Sequence, residues 1–234
     1  MVLPVLNTPE FETTIPSTNQ KINFRPFLVK EEKILFMALQ GNDPSEMSTA
    51  VQRVLESCIT TPGVDVNSFA TFDLEYLFLK LRAKSVGEVI ELRLRHSQGE
   101  CKYVHQHAIN IEDVEVTFPG DLDNKIQVTD QVGMVLKYPS VQLAAMVPSG
   151  NDMESMMDMV AGCVDVVYDN DNVYEDFSKE EIKTFLESLN GTQFAKIRDF
   201  FKRVPKLTHT VEWTCPKCGE TETIHLEGLS SFFM

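Results

Sequence analysis

The chain is short of cysteine, of tryptophan and of positive charge. Its 234 residues include five cysteines, one tryptophan and 21 Lys and Arg against 35 Asp and Glu, a formal net charge of −14. The cysteines, at positions 58, 101, 163, 215 and 218, are too few and odd in number for a disulfide framework, which points to reduced thiols in a cytoplasm. The acidic balance repels phosphate backbones, so it disfavours nonspecific nucleic-acid binding and favours protein partners. No run of about 18 apolar residues exists, and no membrane span is expected. Residues 1–20 lack the basic-then-apolar order of a secretory signal. Nucleophile elbow, phosphate-binding glycine loop, metalloprotease helix and dinucleotide fingerprint are all missing, so an enzyme or a small-molecule substrate has no supporting constellation.

What is present is a chain of ordinary globular composition, 43% hydrophobic and 24% charged. Its length suits one large domain or two small ones. The most specific local signal is Cys215-Pro216-Lys217-Cys218 followed by Gly219, between two β-like stretches. Strand, CxxCG turn, strand is the shape of a zinc knuckle, in which two thiolates converge on one ion. Zinc takes four ligands, and the other candidates lie mid-chain: His96, Cys101, His105 and His107. His96 and Cys101 bracket a turn after a strand, so Cys215, Cys218, Cys101 and His96 compose a full tetrahedral donor set for one structural zinc. The competing reading is a knuckle without metal. A redox dithiol is disfavoured, because the strand–CxxC–helix setting is absent.

Periodicity orders the rest. Residues 1–24, with Pro4, Pro9 and Pro16, show no period and read as a tail or as an extended arm anchored by Phe11, Ile15, Ile22 and Phe24. Helices are expected over 30–40, from Asp43-Pro44, and over 73–83. Val51, Val54, Leu55 and Cys58 make one apolar face, which places Cys58 in the core. Ile90, Leu92 and Leu94 alternate with charges as in a half-buried strand, and further strands are expected at 103–111, 114–118, 125–129 and 132–138, joined as antiparallel hairpins with a turn at Ser97-Gln98-Gly99. Helices return at 140–146 and 152–167. Ser178 and Glu181 form a capping box for a helix ended by Gly191, and a last helix runs over 192–204. The basic face of that last helix (Lys196, Arg198, Lys202, Arg203) reads as solvated, or as a contact for an acidic partner. Met153, Met156, Met157 and Met159 read as core filling, with a protein-binding face as the alternative. The acidic run 165–176 imitates a calcium loop from Asp169 to Glu180. It fails where Val173 offers no ligand oxygen and Tyr174 replaces the required glycine, so a solvated loop is expected.

Several long segments resemble the baseplate hub and hub-assembly proteins of T-even-type contractile-tailed phages (myoviruses). They are Phe24-Arg25-Pro26-Phe27-Leu28-Val29-Lys30-Glu31-Glu32-Lys33, the stretch from Phe72 to Glu88, the capping-box helix, Phe200-Phe201, Pro205, the CPKCG turn, and Gly228-Leu229-Ser230-Ser231-Phe232-Phe233. The resemblance implies a late, noncatalytic subunit or assembly factor of the tail baseplate hub, partnered by other hub proteins. It implies assembly in the host cytoplasm and a place at the virion tail. Members often carry paired cysteines in the mid-chain hairpin; here His96 and Cys101 stand near that place, with a single thiol.

The resulting expectation is an α+β protein, with an arm at 1–24 and one domain over 25–234. Helices should flank a central, mainly antiparallel sheet, closed by a zinc-ribbon-like CxxC hairpin at 207–228. The working surface should be a protein interface, with Phe24, Phe27, Phe232 and Phe233 as apolar anchors. The alternative of a different class is a zinc-ribbon regulator that binds nucleic acid. It needs a basic patch, and Lys217 among Glu212, Glu220 and Glu222 makes a poor one.

Overall fold

The computed structural model describes residues 6–41, 44–96, 101–120, 122–147 and 152–232. It is α+β, with seven α-helices among the described residues and several small antiparallel sheets where one central sheet was expected. Each hairpin pairs mainly with its own neighbour in sequence, so the strands never assemble into one layer. The chain forms two compact units where a single domain after an arm was expected: Met1–Val66, Phe72–Thr117 and Lys206–Met234 in the first, Asn67–Thr71 and Phe118–Pro205 in the second. No helix among the described residues is long and apolar enough to cross a membrane.

The first unit opens with a correction. Residues expected to be a free tail or arm form a hairpin of β1 (Phe11–Thr14) and β2 (Lys21–Phe24), turned at Asn19 in the left-handed region. Ile15, Ile22 and Phe24 are buried within this chain, so Phe24 offers no exposed anchor. The turn is fastened by Asp73, a fully buried carboxylate that accepts from the Ser17 N–H at 2.9 Å and its hydroxyl at 2.5 Å. Helices α1 (Val29–Gly41), α2 (Pro44–Cys58) and α3 (Thr71–Ser85) follow. The predicted face of α2 is buried throughout, and burial pushes the Cys58 thiol up to about 11. In α3, Leu74, Leu77, Phe78 and Leu81 are buried as their spacing requires. Helix α1 starts on a built-in cap. Glu31 is buried, takes the Leu28 N–H at 2.8 Å, and is held by Arg25 at 2.9 Å and the Ser57 hydroxyl at 2.8 Å.

Two hairpins complete this unit. Strands β3 (Val89–Arg95) and β4 (Val104–Asn110) pair from Val89↔Asn110 to Arg95↔Val104. The turn expected at Ser97-Gln98-Gly99 lies outside the described residues. Strand β5 (Glu115–Thr117) pairs with β10 (Lys206–Thr214), which pairs with β11 (Thr221–Glu227). Their inward residues Ile90, Leu92, Leu94, Ile109, Leu207, Val211, Trp213 and Leu226 build one core with Leu79 of α3. A 3-10 turn, Leu229–Phe232, then folds back after Gly228, whose φ of +71° suits glycine. It buries Phe232 in that same core, which removes it as an exposed anchor; Phe233 lies outside the described residues.

The second unit holds a four-stranded antiparallel sheet of β6 (Lys125–Gln127), β7 (Gly133–Leu136), β8 (Val164–Tyr168) and β9 (Val173–Tyr174). Helices α4 (Val141–Met146), α5 (Met153–Cys163), α6 (Lys179–Glu187) and α7 (Gly191–Lys202) belong to it. Three expectations change here. The helix expected over 152–167 stops at Cys163, because Val164, Val166, Val167 and Tyr168 pair with β7. The acidic run becomes a hairpin turn: Asp169 accepts the Asp171 and Asn172 N–H groups and the Tyr174 hydroxyl. Gly191 begins α7 and does not end α6, since Asn190 and Gln193 form a second capping box. The Ser178–Glu181 capping box is present as expected.

Candidate metal centre

The two strand hairpins of the first unit deliver four soft or borderline donors to one point. Strand β3 alternates inward at Leu92 and Leu94, and the next inward position is His96, whose N–H donates to the Tyr103 carbonyl at 2.9 Å. Strand β10 alternates inward at Val211 and Trp213, and the next inward position is Cys215. The knuckle closes as the Cys215 N–H donates to the Glu220 carbonyl and the Gly219 N–H to the Cys215 carbonyl, both at 2.8 Å. Gly219 has φ of +77°, which turns the chain out of the knuckle toward β11.

The donor atoms of His96, Cys101, Cys215 and Cys218 all lie within 4.8 Å of one another. Four sequence-predicted ligands from separate hairpins thus converge, while His105 and His107 stand aside. The spacing is metal-like. Sulfur–zinc bonds of about 2.3 Å at tetrahedral angles hold two sulfurs about 3.8 Å apart. The Cys101 and Cys215 sulfurs are 3.8 Å apart.

His96 supplies an independent test of fit. It is buried, and neither ring nitrogen has a hydrogen-bond partner. Leaving a buried polar atom unsatisfied costs about 1–3 kcal/mol. A metal bond at one nitrogen removes that cost. The second nitrogen has carboxylates at hand, Glu220 at 3.7 Å and Glu222 at 3.9 Å from Nε2. Carboxylates in that position commonly orient ligand imidazoles.

The thiols are tuned in opposite directions. Burial acts to raise Cys215. The N–H groups of Cys218 and Lys217 and the thiols of Cys218 and Cys101 outweigh it and bring Cys215 down to about 7. At Cys218 the Glu220 N–H favours thiolate, but partial desolvation and its two sulfur neighbours shift the group up. Cys215 is thereby biased toward the thiolate, the form that binds metal. The residues present fit one zinc ion in a Cys3His set. Cys58 and Cys163 are buried thiols outside this group of donors, and burial pushes Cys163 up to about 12.

Packing around the four donors was not foreseen. Trp213 stacks on His105 with centroids 4.7 Å apart and meets His96 edge-on at 5.7 Å. The signal was available, because Trp213 stands two residues before Cys215 on the same strand face. Glu222 likewise falls at an inward position of β11, which marks it as a carboxylate drawn in toward His96.

Residues 8–234 match the model of a protein family described as T4 bacteriophage base plate protein. No curated protein and no solved structure matches the chain.

Proposed function

The chain belongs to the T4 bacteriophage base plate protein family, and from that premise we propose that it is a noncatalytic subunit or assembly factor of the tail baseplate hub. Phage baseplate proteins are its partner class. Within that class the proposal is specific: it binds other hub proteins stoichiometrically, without nucleic acid or small-molecule substrate. The observation that carries the reading is the family match across 227 of its residues, from 8 to 234. The geometry agrees with it. Among the described residues, aromatic and aliphatic side chains fill cores and an exposed helix, and the Cys/His cluster has the four protein donors of a structural metal site.

In this reading the Cys3His cluster holds one structural zinc. The ion ties the β3–β4 hairpin to the β10–β11 hairpin and fixes the local frame of the first unit. Among the expected anchors, Phe27 is the one that remains partly accessible among the described residues. The test is complementation. A phage lacking this chain should accumulate tail intermediates without complete hubs, and supplying the chain should restore them. A phage that builds normal tails without it refutes the reading.

A further inference from the structure

Helix α1 is the least buried helix of the first unit, although it is rich in large apolar residues. Glu31 and Ala38, seven residues apart on one line of the helix, are its buried positions. Phe36 is 59% exposed and Met37 71% exposed. Of the large hydrophobic residues left exposed, six fall within twelve consecutive positions: Leu28, Val29, Ile34, Phe36, Met37 and Leu39. At 100° per residue Val29, Phe36 and Leu39 share one side of the helix, whereas Ile34 and Met37 turn away from it.

A groove adjoins this face. It has a volume of about 450 Å³. Leu35 and Leu39 wall it on the α1 side, and Met47, Val51, Leu74 and Phe78 line it from α2 and α3. Phe36 lies three residues before Leu39, one of the groove walls, and so neighbours it on the helix surface. A projecting aromatic and an apolar groove therefore occupy one continuous patch.

We infer that this patch is the contact between two copies of the chain, packed about a two-fold axis with Phe36 of each copy in the groove of the other. A two-fold contact needs a surface that carries both the projection and its receptor, and this one does. Charge points the same way. The whole chain carries −14, so two copies repel across most surfaces. From Ile34 to Gly41 the helix has no charged residue, and Lys30, Glu31, Glu32 and Lys33 before it sum to zero. The groove adds Glu75 and Arg82, one charge of each sign.

This inference concerns the chain alone and stands apart from the hub assignment. The test needs only purified protein. Sedimentation equilibrium or light scattering after size exclusion, from about 1 to 100 μM, should give a mass twice that of the chain at the upper end. Phe36→Glu should weaken dimerisation at least a hundredfold and leave the far-UV circular dichroism unchanged, since the side chain is exposed in the single copy. Val173→Glu, which replaces an equally exposed residue on β9, should leave the dimer intact. A wild-type chain that is monomeric across the range overturns the inference and leaves the face to a helix of another protein. So does a Phe36→Glu chain that dimerises as well as wild type.

Discussion

Replacing Cys218 with Ser separates the metal from the fold. Cys218 is the exposed member of the Cys3His set, whereas Cys215 is fully buried. Without metal, an exposed Cys→Ser change should alter stability by about 0.5 kcal/mol or less. With metal, it removes one of four ligands. Zinc at about a thousand times its dissociation constant stabilises the folded chain by about 4 kcal/mol, and an affinity loss of that same factor removes nearly all of it. For a protein of this size, that amounts to a drop of roughly 10 °C or more in Tm. The assay is thermal unfolding of wild type and Cys218→Ser, each with zinc and with chelator. Wild type should fall with chelator to the temperature of the variant, and the variant should not respond. A wild-type Tm indifferent to chelator, with no zinc by elemental analysis, refutes the metal reading and leaves a metal-free knuckle. A Cys218→Ser chain that is destabilised equally with and without zinc shows that the thiol acts through packing.

Two further substitutions test the first unit. Glu31 is affected most by burial, which raises it, but the Arg25 guanidinium, the Leu28 N–H and the Ser57 hydroxyl together bring it down to about 2. The folded value lies below the unfolded one, so its contribution is full above the ordinary carboxylate range and disappears as pH falls toward 2. Glu31→Gln should therefore cost about 3 kcal/mol at pH 7 in urea unfolding and progressively less below pH 4.5; a pH-independent cost would contradict the ion-pair account. Ser17→Ala removes the hydroxyl that donates to buried Asp73 and should cost about 1–3 kcal/mol, with faster hydrogen exchange in β1 and β2. Unchanged exchange there would show that the hairpin is held by its apolar residues alone.

The parts legible in the sequence were those with a long period or a rigid spacing. The α2 face from Val51 to Cys58 repeats every three to four residues and is buried along its length. The CxxC turn and the His96–Cys101 pair were recognisable because donor chemistry narrows the choice of partners, and His96 and Cys215 each sit at the next inward position of an alternating strand. The N-terminal hairpin was hidden, because four-residue strands carry too few alternations to register, and Asn19 supplies a left-handed turn without glycine. The α5–β8 boundary was hidden for another reason. Val164, Val166 and Val167 continue a helical pattern locally, and pairing with Met134 and Val135, some thirty residues away, decides the strand. Phe24 and Phe232 look like free aromatic ends in the sequence, but Ile15, Ile22 and the Gly228 turn carry them inward. Only tertiary packing distinguishes them from Phe36, whose exposure no local pattern reveals.

The account rests on a stoichiometric role in the baseplate hub, and the most direct measurement is quantitative mass spectrometry of hub intermediates and tails isolated from infected cells. The account predicts this chain in fixed ratio to the other hub proteins in at least one hub complex, and no such complex completed when the chain is withheld. Its absence from every hub complex and tail, with hubs still completed, would contradict the account.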